Sequence, residues 1–135
     1  MINRFAIETA GQQLIEITDE VQAVLDNCAT DTGLLTLFIQ HTSASLVIQE
    51  NADASVQTDL LSWMNRLVPE HATIYTHTSE GPDDMPAHIK SALTQTSLSI
   101  PFENGRLLLG NWQGIYLFEH RRSAHRRSVI VHIGQ

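Results

Sequence analysis

Apolar and polar positions alternate with two different periods along this chain, and the switches between those periods mark its elements. Phe5 and Ile7 alternate with polar neighbours, Gly11-Gln12 interrupts, and Leu14-Ile15-Glu16-Ile17 follows, which predicts an opening β-hairpin. Thr18 is placed to cap a helix whose first turn carries Asp19 and Glu20, where negative charge suits the helix dipole. Val21, Val24, Leu25 and Cys28 then recur at helical spacing, with Cys28 read as inert core. The run LLTLFIQH after Gly33 returns to extended structure, with Leu35, Leu37, Ile39 and His41 on one face. SLVIQE predicts another strand. Asn51 is the expected cap of a second helix, with Val56, Leu60, Met64 and Leu67 as its buried stripe, Asp59 near the edge of that stripe and Pro69 at its end.

The stretch YTHTSEGPDDMPAHIKSAL, residues 75–93, combines a breaker-rich turn with a third helix. Asp83 or Asp84 can cap a helix from Met85 to about Gln95, and Pro86 falls in its first turn, where a missing N–H costs little. Met85, Ile89, Ala92 and Leu93 form the expected apolar stripe, with His88 at its edge. Beyond it, LSIP, RLLLG, GIYLFEH and RSVIVHIG read as consecutive antiparallel strands, and Asn104-Gly105 is the strongest hairpin signal between them. The order of strands, one helix, strands, two helices and strands predicts an α+β fold. It is a largely antiparallel β-sandwich with about three helices packed on it, in a single domain over residues 1–135.

Composition narrows the function classes. No apolar run approaches the roughly 18 residues needed to span a bilayer, and MINRFAIETA lacks a secretory core, so no membrane association and a cytoplasmic location are expected. A single cysteine excludes an intramolecular disulfide and argues against thiolate-held zinc. The net charge of −7 argues against nucleic acid as a partner. Half of the eight basic residues are nevertheless concentrated in Arg121, Arg122, Arg126 and Arg127, a cluster able to hold a small phosphate.

Three histidines stand out as nitrogen ligands for a divalent metal, His41, His77 and His88, a set that would leave a position open for water or substrate. Their spacing matches no compact helical motif, and each could equally be a hydrogen-bonded structural residue. Asp59, Asp83, Asp84 and Glu119 are candidates to bind magnesium, orient a histidine or move protons, with capping an equal reading for Asp83 and Asp84. Glu119 shares a face with Ile115 and Leu117, so burial would oblige it to find partners, an arginine of the next turn among them. Trp112 and Gln113, set between Gly110 and Gly114, offer a pocket wall and an orienting amide, or ordinary packing at a strand entrance.

The pieces QHTSASLVIQEN, DDMPAHIKSAL, LSIP, GNWQGIYLFEHR and RRSVIVHIG together resemble the YjbQ family, also described as the secondary thiamine-phosphate synthase family. The resemblance runs from Leu34 to Gly134. It implies a homotrimer with polar motifs near subunit boundaries, and it carries onto His41, Asn51, Asp59, His77, Asp84, His88, Gln113, Glu119 and Arg127. The turn His120-Arg121-Arg122 departs from the acidic turn of many relatives and favours anion contact there. The implied activity is a transfer joining a pyrimidine diphosphate to a thiazole phosphate. On that expectation His88, Asp59 and Glu119 are catalytic, Gln113, Trp112, Arg121 and Arg127 bind a small phosphorylated substrate, and His41, His77 and His88 hold magnesium or zinc. A metal-dependent hydrolase and a non-enzymatic trimeric binder of a phosphorylated ligand are the alternatives. At this stage Asp83 and Asp84 are left with an architectural role.

Overall fold

A computed structural model describes residues 1–134. In chain order the elements are β1 (Ile2–Thr9), β2 (Gln13–Glu16), α1 (Thr18–Asp26), β3 (Gly33–Ile39), β4 (Ala44–Glu50) and α2 (Ala54–Leu67), then α3 (Asp84–Leu93), β5 (Ser97–Glu103), β6 (Arg106–Leu107), β7 (Gln113–Glu119) and β8 (His125–Gly134). The strands form a five-stranded sheet ordered β1-β8-β3-β5-β6 and a three-stranded sheet ordered β2-β7-β4, and every paired strand is antiparallel. With three helices against these sheets, the α+β expectation holds.

The opening hairpin does not form. β1 pairs with β8 and β2 with β7, so Ala10 to Gln12 is a corner that carries the chain from one sheet to the other. Alternation identified both strands but could not say which partner each would meet. Among the four late segments only β5 and β6 pair consecutively, through Asn104 and Gly105 at φ of 53° and 71°, the positive pair that a two-residue hairpin turn requires.

One core lies between the sheets, where Leu35, Leu37 and Ile39 of β3 and Val129, Val131 and Ile133 of β8 meet Leu46 of β4 and Ile115 and Leu117 of β7. Ile17, Val21 and Leu25 close one side of it, and Cys28 packs against its margin. A second cluster, Leu14, Met64, Tyr116 and Phe118, lies under α2 on the opposite face of the three-stranded sheet. β7 is therefore buried on both faces, and every residue from Gly114 to Glu119 is enclosed. This is what forces the polar residues at its far end, Glu119 and then His120, to find partners inside the protein.

Caps and helix faces differ from the sequence expectation in detail. Thr18 begins α1 instead of capping it, and its hydroxyl donates to Glu16 Oε2 at 2.8 Å while accepting the Ile115 N–H at 2.9 Å. Asp53, not Asn51, caps α2 by accepting the Ser55 N–H at 3.0 Å. The α2 stripe is buried at Met64, but Leu67 is half-exposed. Helix α3 inverts expectation more completely: Asp84, Ala87, Lys90 and Ser91 are buried, while Ala92 and Leu93 face out. Ser91 donates to the Ala44 carbonyl and Lys90 to Asn65 Oδ1, so polar side chains anchor this helix to β4 and α2. On the outer face of the five-stranded sheet Leu34 and Phe38 are exposed, lying opposite Pro101 and Ile130 in register. Among the described residues no helix is long and apolar enough to cross a membrane.

Candidate metal centre

The breaker-rich turn before α3 brings His77 back over the start of the helix. Asp83 sits at the N-cap position, yet its side chain makes no capping bond. Its Oδ2 instead accepts Arg121 Nε at 2.9 Å and the Arg122 backbone N–H at 2.8 Å. Asp84 is 2 % exposed, and its two oxygens are divided: Oδ1 accepts Arg121 Nη1 at 2.8 Å, while Oδ2 lies 2.7 Å from His77 Nε2 and 3.1 Å from His88 Nε2. His88 reaches that oxygen because it stands four residues after Asp84, one helical turn along the same face. Burial alone would push the Asp84 carboxyl up in pKa, but the His77 hydrogen bond, His88 and Arg121 outweigh it and hold the group below the usual range. The same balance holds for Asp83, where burial is outweighed by Arg122 and Arg121.

Proton counting shows what this arrangement lacks. His88 Nδ1 lies 2.9 Å from the Thr42 carbonyl, which can only accept, so Nδ1 carries a hydrogen. A neutral His88 then presents a bare lone pair at Nε2 toward a carboxylate oxygen, and only a second proton or a cation between them resolves the contact. The ligand atoms of His77, Asp84 and His88 lie within 4.8 Å of one another. Two imidazole nitrogens and a carboxylate oxygen, with the far nitrogen of one imidazole tied to a backbone carbonyl, form a donor set suited to a divalent ion such as zinc. His77 and His88 are 46 % and 30 % exposed at their side chains, so a bound ion would keep an approach from solvent. A cavity of about 320 Å³ lined by His71, Tyr75, His77, Pro82 and Met85 opens on the His77 side. One of about 230 Å³ lined by His41, Thr42, His88, Ser91 and Thr96 opens on the other.

The family of UPF0047 YjbQ-like proteins matches residues 3–135. The chain belongs to the YjbQ family. It is 55 % identical over 127 residues to the UPF0047 protein sll1880 of Synechocystis, covering 94 % of this chain and 86 % of that protein. It is 47 % identical to the UPF0047 protein YjbQ of Salmonella typhimurium, covering 85 % and 83 %. Among solved structures it is similar to a YjbQ/UPF0047 protein from Clostridium acetobutylicum, with a TM-score of 0.90, 34 % identity and coverage of 98 % and 99 %. It is also similar to the conserved hypothetical protein TT1486 of Thermus thermophilus, with a TM-score of 0.88, 37 % identity and the same coverage. None of these names states an activity.

Other residues singled out by the YjbQ resemblance fall in different places. His41 lies just beyond β3 and does not join His77 and His88; its Nε2 accepts the Ser128 N–H at 2.8 Å. Asp84, and not His41, is the residue whose oxygen lies with the nitrogens of His77 and His88. Glu119 is buried and ion-paired with Arg127, whose Nε donates to Oε1 at 2.7 Å, and it also accepts the Thr9 hydroxyl at 2.7 Å and the Arg121 N–H at 3.1 Å. Its ion-pair partner is a residue of β8, while the intervening turn contributes the Arg121 backbone N–H. Burial pushes the Glu119 carboxyl up in pKa, but Arg127, Thr9 and the Arg121 N–H bring it below the ordinary range. Both Glu119 oxygens are thus engaged by donors inside the protein.

Asp59 is exposed on α2, its side chain makes no hydrogen bond among the described residues, and it is not part of the group formed by His77, Asp84 and His88. Trp112 is 65 % exposed, and the Gln113 Oε1 accepts the Gly110 N–H at 2.8 Å. Gln113 begins β7 and Trp112 precedes it, about 20 Å by strand rise from Glu119 at the other end, and neither belongs to the group formed by His77, Asp84 and His88. Arg121 does adjoin that site, but its three nitrogens are spent on Asp83, Asp84 and the Glu80 carbonyl. Asp84 is among the carboxylates that residue type marks as possible metal ligands, but its pairing with His88 is not. Asp84 and His88 at a spacing of four on one helix was a legible ligand signal, whereas the Thr42 carbonyl that orients His88 left no trace in residue types.

Proposed function

We propose that this YjbQ-family protein is a metal-dependent hydrolase in which His77, Asp84 and His88 hold one divalent ion. The observation that carries the reading is the shared point of three ligand atoms around Asp84 Oδ2, with His88 fixed by the Thr42 carbonyl. Imidazole nitrogens favour zinc over magnesium. When bound, such an ion supplies Lewis acidity toward water or a polarised substrate oxygen. The protein's part is to orient the two imidazoles, keep Asp84 ionised through Arg121, and leave the histidine edges open to solvent.

The pyrimidine–thiazole transfer implied by the family resemblance draws less support. A departing diphosphate calls for free cationic donors. Arg121, Arg122, Arg126 and Arg127 instead have their charges matched by carboxylates, Asp83 with Asp84, Glu70, Glu8 and Glu119 respectively, although Arg127 keeps Nη1 without an oxygen partner among the described residues. A homotrimer in the cytoplasm belongs to the same proposal; the exposed Leu34 and Phe38 on the open sheet face support association of copies, and light scattering reads its mass directly.

Metal analysis of protein prepared without chelators tests the centre. About one equivalent of zinc per chain is expected, removed by a strong chelator together with hydrolysis of chromogenic phosphate and carboxylate esters. Asp84→Asn and His88→Asn should each lower metal affinity by one to two orders of magnitude while far-ultraviolet circular dichroism is retained, by analogy with about 10- to 100-fold losses when metal-site partners are removed. Stoichiometric zinc in His88→Asn protein would remove the centre from consideration.

A further inference from the structure

His41 has a donor facing each of its ring nitrogens. The Ser128 N–H points to Nε2 at 2.8 Å and Arg127 Nη1 points to Nδ1 at 3.4 Å. A neutral imidazole has one nitrogen lone pair free for hydrogen bonding, so it can satisfy only one of them. The shorter contact claims that lone pair at Nε2, which leaves Nδ1 bearing a hydrogen directed at a guanidinium. A second proton on the ring would only add a conflict at Ser128. Burial first, and then Arg127, lower the pKa of His41 and so agree with the neutral form.

Arg127 is in the matching position. Its Nε and Nη2 bond Glu119, and Nη2 also reaches Ser43 Oγ at 3.0 Å and the Ser43 carbonyl at 3.2 Å. Nη1 has no oxygen partner among the described residues. Two N–H donors therefore converge without an acceptor. The imidazole of His41 lines both the cavity of about 230 Å³ that it shares with His88 and an adjoining one of about 480 Å³ that reaches Phe38, Gln40 and Ser43.

We propose that His41 Nδ1–H and Arg127 Nη1–H form a binding site for one oxyanion of a small ligand, a phosphate monoester or a carboxylate. Hydrogen bonds from a guanidinium and an imidazole to an anionic oxygen are charge-assisted, and an oxygen between the two donors converts their conflict into two bonds. Ser43 and the Ser128 N–H hold the two side chains in place, and Glu119 fixes the plane of the guanidinium. The site deepens the hydrolase reading by giving its substrate an anionic group, since His41 and His88 face one cavity. It rests on that reading only for calling the ligand a substrate.

The test uses chelator-treated, metal-free protein, so that it can succeed or fail independently of the metal centre. Inorganic phosphate is titrated into wild-type protein while the imidazole nitrogens are followed by nuclear magnetic resonance, with chloride at equal ionic strength as the control. Saturable movement of the His41 Nδ1 signal by phosphate and not by chloride is expected. His41→Leu should weaken phosphate binding about tenfold, the loss of one hydrogen bond to a charged group, whereas His41→Asn, which places an amide N–H near the Nδ1 position, should weaken it less. A wild-type His41 signal that phosphate does not move, or equal affinity in His41→Leu, would overturn the site. Phosphate binding in this test, together with no zinc in protein prepared without chelators, would leave the site standing and sink the hydrolase instead.

Discussion

Asp84 and Glu119 are both enclosed carboxylates that meet an arginine, and their surroundings differ in one respect. Glu119 has each oxygen matched by groups that can only donate or readily do so: the Thr9 hydroxyl, two nitrogens of Arg127 and the Arg121 N–H. Asp84 has Oδ1 matched by Arg121, but Oδ2 is shared by two imidazoles, one of which has already committed its hydrogen to Thr42. Burial and charge therefore do not separate a packing carboxylate from a ligand. The count of protons around each oxygen does, because a satisfied network has no use for a further proton or cation and an unsatisfied one takes up one or the other.

That contrast can be broken by experiment, most severely at Glu119. Glu119→Gln leaves the Arg127 guanidinium buried without its counter-charge, and unfolding in urea should show a loss of about 3–5 kcal/mol. A loss below about 1 kcal/mol would place Glu119 with the surface ion pairs and undo its assignment to packing.

The next effect belongs to its neighbour. His120 is buried against Phe118, its Nε2 lies 2.9 Å from Ser45 Oγ, and its Nδ1 has no partner among the described residues. Burial first, and then Lys90, lower its pKa from the ordinary 6.5 to about 3. In the unfolded chain this histidine takes up a proton below pH 6.5 that the folded protein refuses until about pH 3, so its contribution is complete above 6.5 and is lost as pH falls. Between pH 6.5 and 4 the loss should be about 3 kcal/mol, and urea titrations of His120→Gln should show a correspondingly flatter pH dependence. The smallest expected effect is at Asp59, where Asp59→Asn should leave zinc content unchanged and alter stability by no more than about 0.5 kcal/mol.

Much of the fold was written in the hydrophobic pattern. The alternation of Leu35, Leu37 and Ile39, the Asn104-Gly105 turn and the three helices all stand where periodicity put them, because burial of one face is a local property of the chain. Strand partners were not local. β1 and β2 carry the alternation of a hairpin yet pair with β8 and β7, strands more than a hundred residues away, because two sheets of a sandwich compete for them. Helix α3 failed for the same reason, since its buried face was chosen by Ala44 and Asn65, which accept hydrogen bonds from Ser91 and Lys90.

The sequence by itself determined the elements, the family motifs and the supply of histidines and carboxylates. It also placed Asp84 and His88 one helical turn apart on α3, for their spacing is fixed by helix geometry. Only the tertiary structure decided that His77 joins them, that His41 turns away to Ser128 and Arg127, and that Glu119 is closed off by an arginine of β8. Those choices depend on hydrogen-bond partners brought from distant strands and turns, and residue spacing along a chain carries no record of which lone pair will meet which proton.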